Sequence, residues 1–198
     1  MKTIKILSLA LASGFVLASC SNDDNTPEEV NEEEIITTMI VTLTPTGGGT
    51  PIVFQSQDLD GDGPNAPVIT PEDIVLSEGT TYSGTVVLLN ETESPAENVN
   101  EEIEAEADEH QFFYIIDGGL NATVDYADDE SDYVSEETGQ NFTTTNPVGI
   151  AFTITTTSAS TGTLAITLRH EPKKPNDGTL VDAGGETDIT ETFNLTVE

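Results

Sequence analysis

Apolar and polar positions alternate through most of this chain, and that alternation predicts its elements. Ile35, Thr37, Met39, Val41 and Leu43 fall on one side of an extended segment, with Ile36 and Ile40 as apolar exceptions on the other. This is the period of a strand with one well-buried face. Pro45 to Thr50, with three consecutive glycines, predicts a turn into a second strand over Ile52 to Gln55, and so a hairpin. Asp58 to Pro71 is dense in Asp, Gly and Pro and reads as loop. Thr80 to Asn90 predicts a third strand, with Tyr82, Val86 and Leu88 on one face and Val87 and Leu89 on the other. Further strands are expected over Gln111 to Ile116 and Ala122 to Tyr126, around a turn at Asp117, Gly118 and Gly119. Gly149 to Thr157 and Thr163 to His170 read as a hairpin joined through Ser158 to Gly162, and Thr190 to Val197 as a last strand. Residues 127–147 are acidic and Thr-rich with little pattern.

One stretch has a helical signature. Ser94, Pro95 and Glu97 stand as N-cap, first helical residue and third residue of a capping box. Val99 and Ile103 follow as a narrow apolar stripe, and Glu101, Glu102, Glu104, Glu106, Asp108 and Glu109 make the remainder acidic. Acids in a last turn oppose the helix dipole, so the helix should fray near Asp108. Seven or eight antiparallel strands with turns between them predict an all-β fold over residues 35–198. The expected architecture is a two-sheet antiparallel β-sandwich of immunoglobulin-like size with one short acidic helix; a closed barrel is the alternative. The Trp and cysteine pair that mark immunoglobulin domains are missing.

The start of the chain follows different rules. Lys2 and Lys5, the apolar run from Ile6 to Leu17 and small residues after it form a secretory signal over residues 1–19. That run is too short to cross a bilayer, which takes roughly 20 residues. Leu17, Ala18 and Ser19 lead into Cys20, the chain's single cysteine, which has no partner for an intramolecular disulfide. The four residues resemble the bacterial lipobox, whose cysteine sulfur is acylated with palmitate-type chains and becomes the first mature residue. Each buried methylene adds about 0.8 kcal/mol of membrane affinity, so several chains anchor a protein firmly. Residues 20–34 then read as the lipidated cysteine and a disordered acidic spacer, since so polar a segment cannot bury enough surface to become ordered.

Charge narrows the partners. The chain carries 37 acidic and 5 basic residues, a formal charge of −32. Such a surface repels phosphate backbones, so nucleic acid is excluded as a partner, while divalent cations and cationic ligands are welcome. The same charge also suits plain solubility in a salty setting. Beyond the signal the basic residues are Arg169, Lys173 and Lys174, which are expected to neutralise nearby acids or, alternatively, to bind an anion.

Two groups of residues could hold an ion. Asp58, Asp60, Asp62 and Gly63 have the spacing of the first half of a calcium loop, in which alternate carboxylates converge about a glycine turn. The twelfth position is Ile69 instead of a bidentate Glu, so calcium would need ligands from elsewhere; an ion-free Asp and Gly turn is the alternative. His110 opens one strand and His170 closes another on the face of Leu164, Ile166 and Leu168. If those strand ends are neighbours, His110, His170 and Glu171 could bind Zn²⁺ or Cu²⁺, though a histidine ending an apolar face can equally be a packing residue. Nucleophilic catalysis lacks a nucleophile elbow and a free cysteine, and sugar binding lacks a Trp to stack on. A non-enzyme is expected, with a metal-dependent hydrolase using Glu109 or Glu171 as base the minor alternative.

The lipobox, the Gly47 to Gly49 turn and the stretches DLDGDGPNAPVIT, LLNETESPAENV, DEHQFFY and LRHEPKKPNDGTL together resemble a family of small flavobacterial-type Bacteroidota lipoproteins. Its members are often labelled type 1 periplasmic binding fold proteins, a label that implies two lobes of alternating strands and helices. The resemblance implies an outer-membrane address, with the acidic residues behind Cys20 resembling the signal that sends such lipoproteins to the cell exterior. It also implies a role as a ligand- or metal-binding accessory to a TonB-dependent receptor. A structural or adhesive surface module with a stabilising calcium loop is the alternative.

Overall fold

The computed structural model describes residues 34–61 and 63–198. The signal, Cys20, residues 20–33 of the spacer and Asp62 of the calcium-like loop lie outside the described residues. In chain order β1 (Thr38–Pro45), β2 (Ile52–Gln57), β3 (Val68–Thr70), β4 (Ile74–Leu76), β5 (Thr81–Asn90) and β6 (Glu97–Asn98) lead into helix α1 (Asn100–Ala105). There follow β7 (His110–Asp117), β8 (Ala122–Tyr126), a 3-10 turn (Glu130–Asp132), β9 (Ala151–Thr156), β10 (Ser160–His170), α2 (Leu180–Ala183) and β11 (Glu186–Val197). One sheet runs β3-β2-β1-β5-β9-β8, with β6 on the free end of β5, and the other runs β4-β11-β10-β7. This is the all-β two-sheet sandwich that the alternation predicts, and the two α/β lobes of the family label are not formed by the described residues.

The longer strands contribute alternate residues to one core. Met39, Val41 and Leu43 of β1 lie beside Leu88, Val86 and Gly84 of β5, and Phe152 of β9 covers Gly84 so closely that a Cβ there would sit 2.4 Å from the Phe152 ring. The second sheet presents Leu164, Ile166 and Leu168 of β10, Phe193, Leu195 and Val197 of β11, and Phe112 of β7. Phe54 and Phe193 meet edge to face with ring centroids 4.8 Å apart, joining β2 of one sheet to β11 of the other.

The pairing departs from the expected hairpins. β9 pairs with β5 and β8, whereas β10 pairs with β11 and β7, so the turn after Thr156 carries the chain from one sheet to the other. The glycine turn after β7 also changes sheets, delivering β8 to β9. Alternation reports which face of a strand is buried and is silent about its neighbour, so a hairpin and a sheet-crossing arch look alike in sequence. β3, β4 and β6 are too short to show a period, and β4 runs parallel to β11, an exception to the antiparallel rule.

The helix also begins later than its capping pattern suggests. Glu97 and Asn98 pair with β5 as β6, and the helix opens after Val99 with no side-chain cap. Buried Asn100 explains the shift: its side chain accepts from Leu88 N at 2.7 Å and donates to Val86 O at 3.0 Å, filling the ladder of β5 where β9 ends. Pairing two backbone groups that burial would otherwise orphan outweighs an exposed cap.

Phe193 is fully buried. Phe193→Ala is therefore expected to cost about 3–5 kcal/mol through lost burial and the cavity left behind, read as a lower urea midpoint at unchanged slope. A loss within about 0.5 kcal/mol, the range of an ordinary surface change, would mean that the two sheets do not share this contact.

Candidate metal centre

The centre is built by strand register. β7 and β10 pair antiparallel with Ile116 opposite Leu164, Tyr114 opposite Ile166, Phe112 opposite Leu168 and His110 opposite His170. The histidines thus end the core-facing rows of two adjacent strands, 60 residues apart in sequence and with ring centroids 4.5 Å apart. His110 is fully buried and His170 is 6% exposed.

Two carboxylates complete the group, and neither is Glu171. Glu34, which the sequence assigns to the spacer, has a side chain only 4% exposed and accepts a hydrogen bond from His110 Nε2 at 2.9 Å. Asp188 comes from an irregularity in the β10–β11 ladder: Leu168 faces Ile189 and Arg169 faces Thr187, leaving Asp188 as an extra residue. A bulge of this kind re-aims a side chain at the cost of one unpaired position. Glu34, His110, His170 and Asp188 place one ligand atom each within 4.8 Å of one another.

Glu171 is exposed and outside the group. It follows an inward-facing residue, so alternation turns it away, and its φ of 47° ends β10 in the left-handed region. The bend is tight: a Cβ on Gly185 at the head of β11 would lie 2.2 Å from the His170 carbonyl oxygen.

Two oxygens of this group stand out. Glu34 Oε2 and Asp188 Oδ2 are buried and, with both acids ionised, accept from no donor among the described residues. Buried carboxylate oxygens are costly when unpaired. Burial and the Glu34 charge, with a hydrogen bond that a protonated Asp188 donates to Glu34, push Asp188 up to about 6, against the pull of the two histidines. For Glu34 burial raises the pKa, but the hydrogen bond and charge of His110 prevail and hold it below its ordinary value. Burial works against charging His110, yet the Glu34 hydrogen bond and charge, with the Glu106 carbonyl, raise it above its ordinary value.

His110 is also oriented from behind. Its Nδ1 lies 3.3 Å from the carbonyl oxygen of Glu106, the residue that closes α1. A ring N–H donated to a backbone carbonyl fixes the tautomer and aims the other nitrogen at the ion in metal-ligating histidines. Here that other nitrogen, Nε2, is the one facing Glu34. The carbonyl of His110 is held in turn by Lys174 Nζ at 2.7 Å.

No family model matches this chain, and no curated protein matches it.

The described residues of the calcium-like turn bond to one another. Asp58 Oδ1 accepts from Asp60 N at 3.2 Å and Asp60 Oδ2 from Asn65 Nδ2 at 2.7 Å, while Asp62, the third expected ligand, lies outside the described residues. The basic residues take up local partners: Lys173 pairs with Asp182 at 2.9 Å, Lys174 with Glu130 at 3.1 Å, and Arg169 reaches Thr187.

The pKa directions give a pH signature for the metal-stripped protein. Asp188 and His110 both hold their protons more tightly folded than unfolded. Such groups contribute stability that is present below the unfolded pKa and lost as pH rises through the folded one. Asp188 should therefore withdraw stability between its ordinary value of 3.8 and about 6, and His110 above 6.5. Glu34, shifted the other way, adds a slope only below 4.5. Urea midpoints of chelator-treated protein should fall from pH 4.5 to 6.5 more steeply in the native sequence than in Asp188→Asn. Parallel profiles would show that Asp188 does not titrate against this cluster.

Proposed function

We propose that this chain is a lipid-anchored outer-membrane protein, displayed at the cell exterior, that binds a transition-metal ion as an accessory to an outer-membrane receptor. The ion is held by Glu34, His110, His170 and Asp188. One observation carries the reading: Glu34 and Asp188, each with a buried oxygen that accepts from no donor among the described residues, place a ligand atom within 4.8 Å of those of two facing imidazoles. Without an ion the arrangement is costly, because a low-dielectric site sets two carboxylates side by side. With one, both carboxylates face a cation in place of each other.

The donor set selects the class of ion. Two imidazole nitrogens and two carboxylate oxygens, with no thiolate, suit a borderline divalent ion such as Zn²⁺ or Cu²⁺ better than Ca²⁺ or Mg²⁺, which prefer all-oxygen shells. A tetrahedral ion with bonds of about 2.0–2.1 Å spaces its ligand atoms about 3.3 Å apart. Glu34 Oε1 stands 2.9 Å from His110 Nε2 and 3.9 Å from His170 Nδ1, either side of that spacing. Four protein ligands make a closed site, which favours holding an ion over catalysing with it. The membrane part of the proposal rests on Cys20 and its lipobox-like context, and the receptor on the family resemblance.

Zn²⁺ titrated into metal-stripped protein is expected to bind one ion per chain and raise thermal stability. His110→Ala, His170→Ala and Asp188→Asn should each weaken binding by more than about 100-fold, since even outer-shell changes cost about 10–100-fold. Glu171→Ala should bind as the native chain does. Unsaturable binding, or a Glu171 variant as weak as His170→Ala, would reject this centre. Anchoring is tested separately. Cys20→Ser should abolish incorporation of labelled palmitate and release the protein from the membrane fraction, and persistent acylation would place the lipid elsewhere.

A further inference from the structure

The buried centre is continuous with a set of carboxylates that reaches solvent. His170 lies between them: Nδ1 faces Glu34 Oε1 at 3.9 Å, and Nε2 faces Glu109 Oε2 at 3.8 Å. Neither approach is a hydrogen bond, although the His170 side chain is 92% removed from solvent, with an exposure of 8%. Glu109, by contrast, is half exposed. Glu106, Glu109 and His170 form a second group whose ligand atoms lie within 4.8 Å of one another, and Glu34, Glu102 and Glu106 form a third. Glu102 and Glu106 are four residues apart and so share one side of the turn that closes α1. Exposure falls along the series, from exposed Glu102 and Glu109 through half-buried Glu106 to the buried Glu34 side chain.

We infer that Glu106 and Glu109, with Nε2 of His170, form an outer divalent-cation position from which an ion passes to the buried centre. The inference rests on the metal-centre reading above. A neutral imidazole has one lone pair on its ring nitrogens, so His170 serves one position at a time. With its proton on Nδ1 it offers Nε2 outward to an arriving ion. With the proton on Nε2 it offers Nδ1 inward, and Glu109, 3.8 Å away, is too far to hold that N–H. The two tautomers thus hold the ion at successive stations. The outer one lacks enough buried ligands to retain it, and the inner one supplies His110, Glu34 and Asp188.

The test uses the full chain and Zn²⁺ alone. Association and dissociation are followed by rapid mixing against a chromophoric chelator. Glu106→Gln combined with Glu109→Gln is expected to slow loading by about tenfold, within the range attributable to local electrostatic capture, while equilibrium affinity changes by less than about threefold because entry and exit use the same station. Glu72→Gln combined with Asp73→Asn removes the same charge at exposed positions before β4 and should load normally. In a chain carrying His110→Ala and Asp188→Asn, a weak Zn²⁺ site should remain and disappear when the Glu106 and Glu109 changes are added.

Three results would overturn the outer position: loading as fast as in the native chain; a loss of affinity that resides wholly in faster dissociation, which would make Glu109 only a positioning partner of His170; or no residual weak site in the doubly disabled centre. If the native chain binds no Zn²⁺, the buried centre itself fails and the outer position falls with it. Tight native binding together with any of those three results rejects the outer position alone.

Discussion

The antiparallel pairing of β7 with β10 is the constraint on which the centre depends. Because side chains alternate along a strand, the register that places Phe112 against Leu168 and Ile116 against Leu164 also places His110 against His170 on the core side. A slip of one residue would turn one row over relative to the other, exposing its core residues and sending the two imidazoles to opposite faces. The histidines therefore need no separate positioning energy. Apolar burial of roughly 1.5–3 kcal/mol per large side chain fixes the register, and the polar end of the rows follows from it.

What keeps that end of the sandwich from fraying is a buried cation. Lys174 Nζ donates to the carbonyls of Ala107 and His110 at 2.6 and 2.7 Å and pairs with Glu130 at 3.1 Å, with Lys174 and Glu130 side chains 6% and 1% exposed. Asn146 Nδ2 supplies both Glu130 oxygens, at 3.2 and 3.0 Å. Burial lowers the Lys174 pKa and Glu130 pulls it back up without restoring it, so the ammonium is under strain that its three acceptors relieve. A buried ion pair of this kind adds little net stability but is expensive to break, because either partner alone would be an uncompensated charge. It specifies geometry, tying the end of α1, the first residue of β7 and the loop after β10 to the 3-10 turn. Within the patternless stretch 127–147 this cation holds Glu130, while Asp128 accepts from Tyr133 Oη, Gly149 N and Ala151 N at 2.6, 2.7 and 2.9 Å, and Tyr133 and Phe142 pack against the core.

The fold is legible in the chain where one physical effect dominates and illegible where two compete. Half-buried strands declare themselves by alternation, and β8 runs over Ala122–Tyr126 as that pattern predicts. Their partners do not, because β9 and β10 would show the same alternation in a hairpin as in an arch between sheets. The capping box at Ser94 is a genuine local signal, overridden by the ladder bonds of Asn100, a tertiary effect with no local trace. At the site, both histidines were legible as residues ending apolar faces. Glu171 was a sequence neighbour that alternation points outward. Asp188 depends on a bulge that no composition announces. Glu34 is one of several consecutive glutamates, and only its position just ahead of the first alternating segment distinguishes it from the others.

The acidic surface and the buried centre then divide the work in the proposed function. A chain of net charge −32 concentrates cations of every kind, and at physiological ionic strength that field reaches about 8 Å from the surface. It draws Ca²⁺ and Mg²⁺ as readily as rarer ions, so it cannot discriminate among them. Discrimination requires donors that the commoner hard cations use poorly, and the two buried imidazoles are those donors. Placing them at the core end of paired strands removes them from bulk water, where a solvated carboxylate shell would bind any divalent ion weakly. The graded carboxylates from Glu102 to Glu34 connect the two regimes, so that attraction acts first and selection second. Reversing that order, with histidines at the surface and acids within, would give a buried site that fills with whichever cation is most abundant.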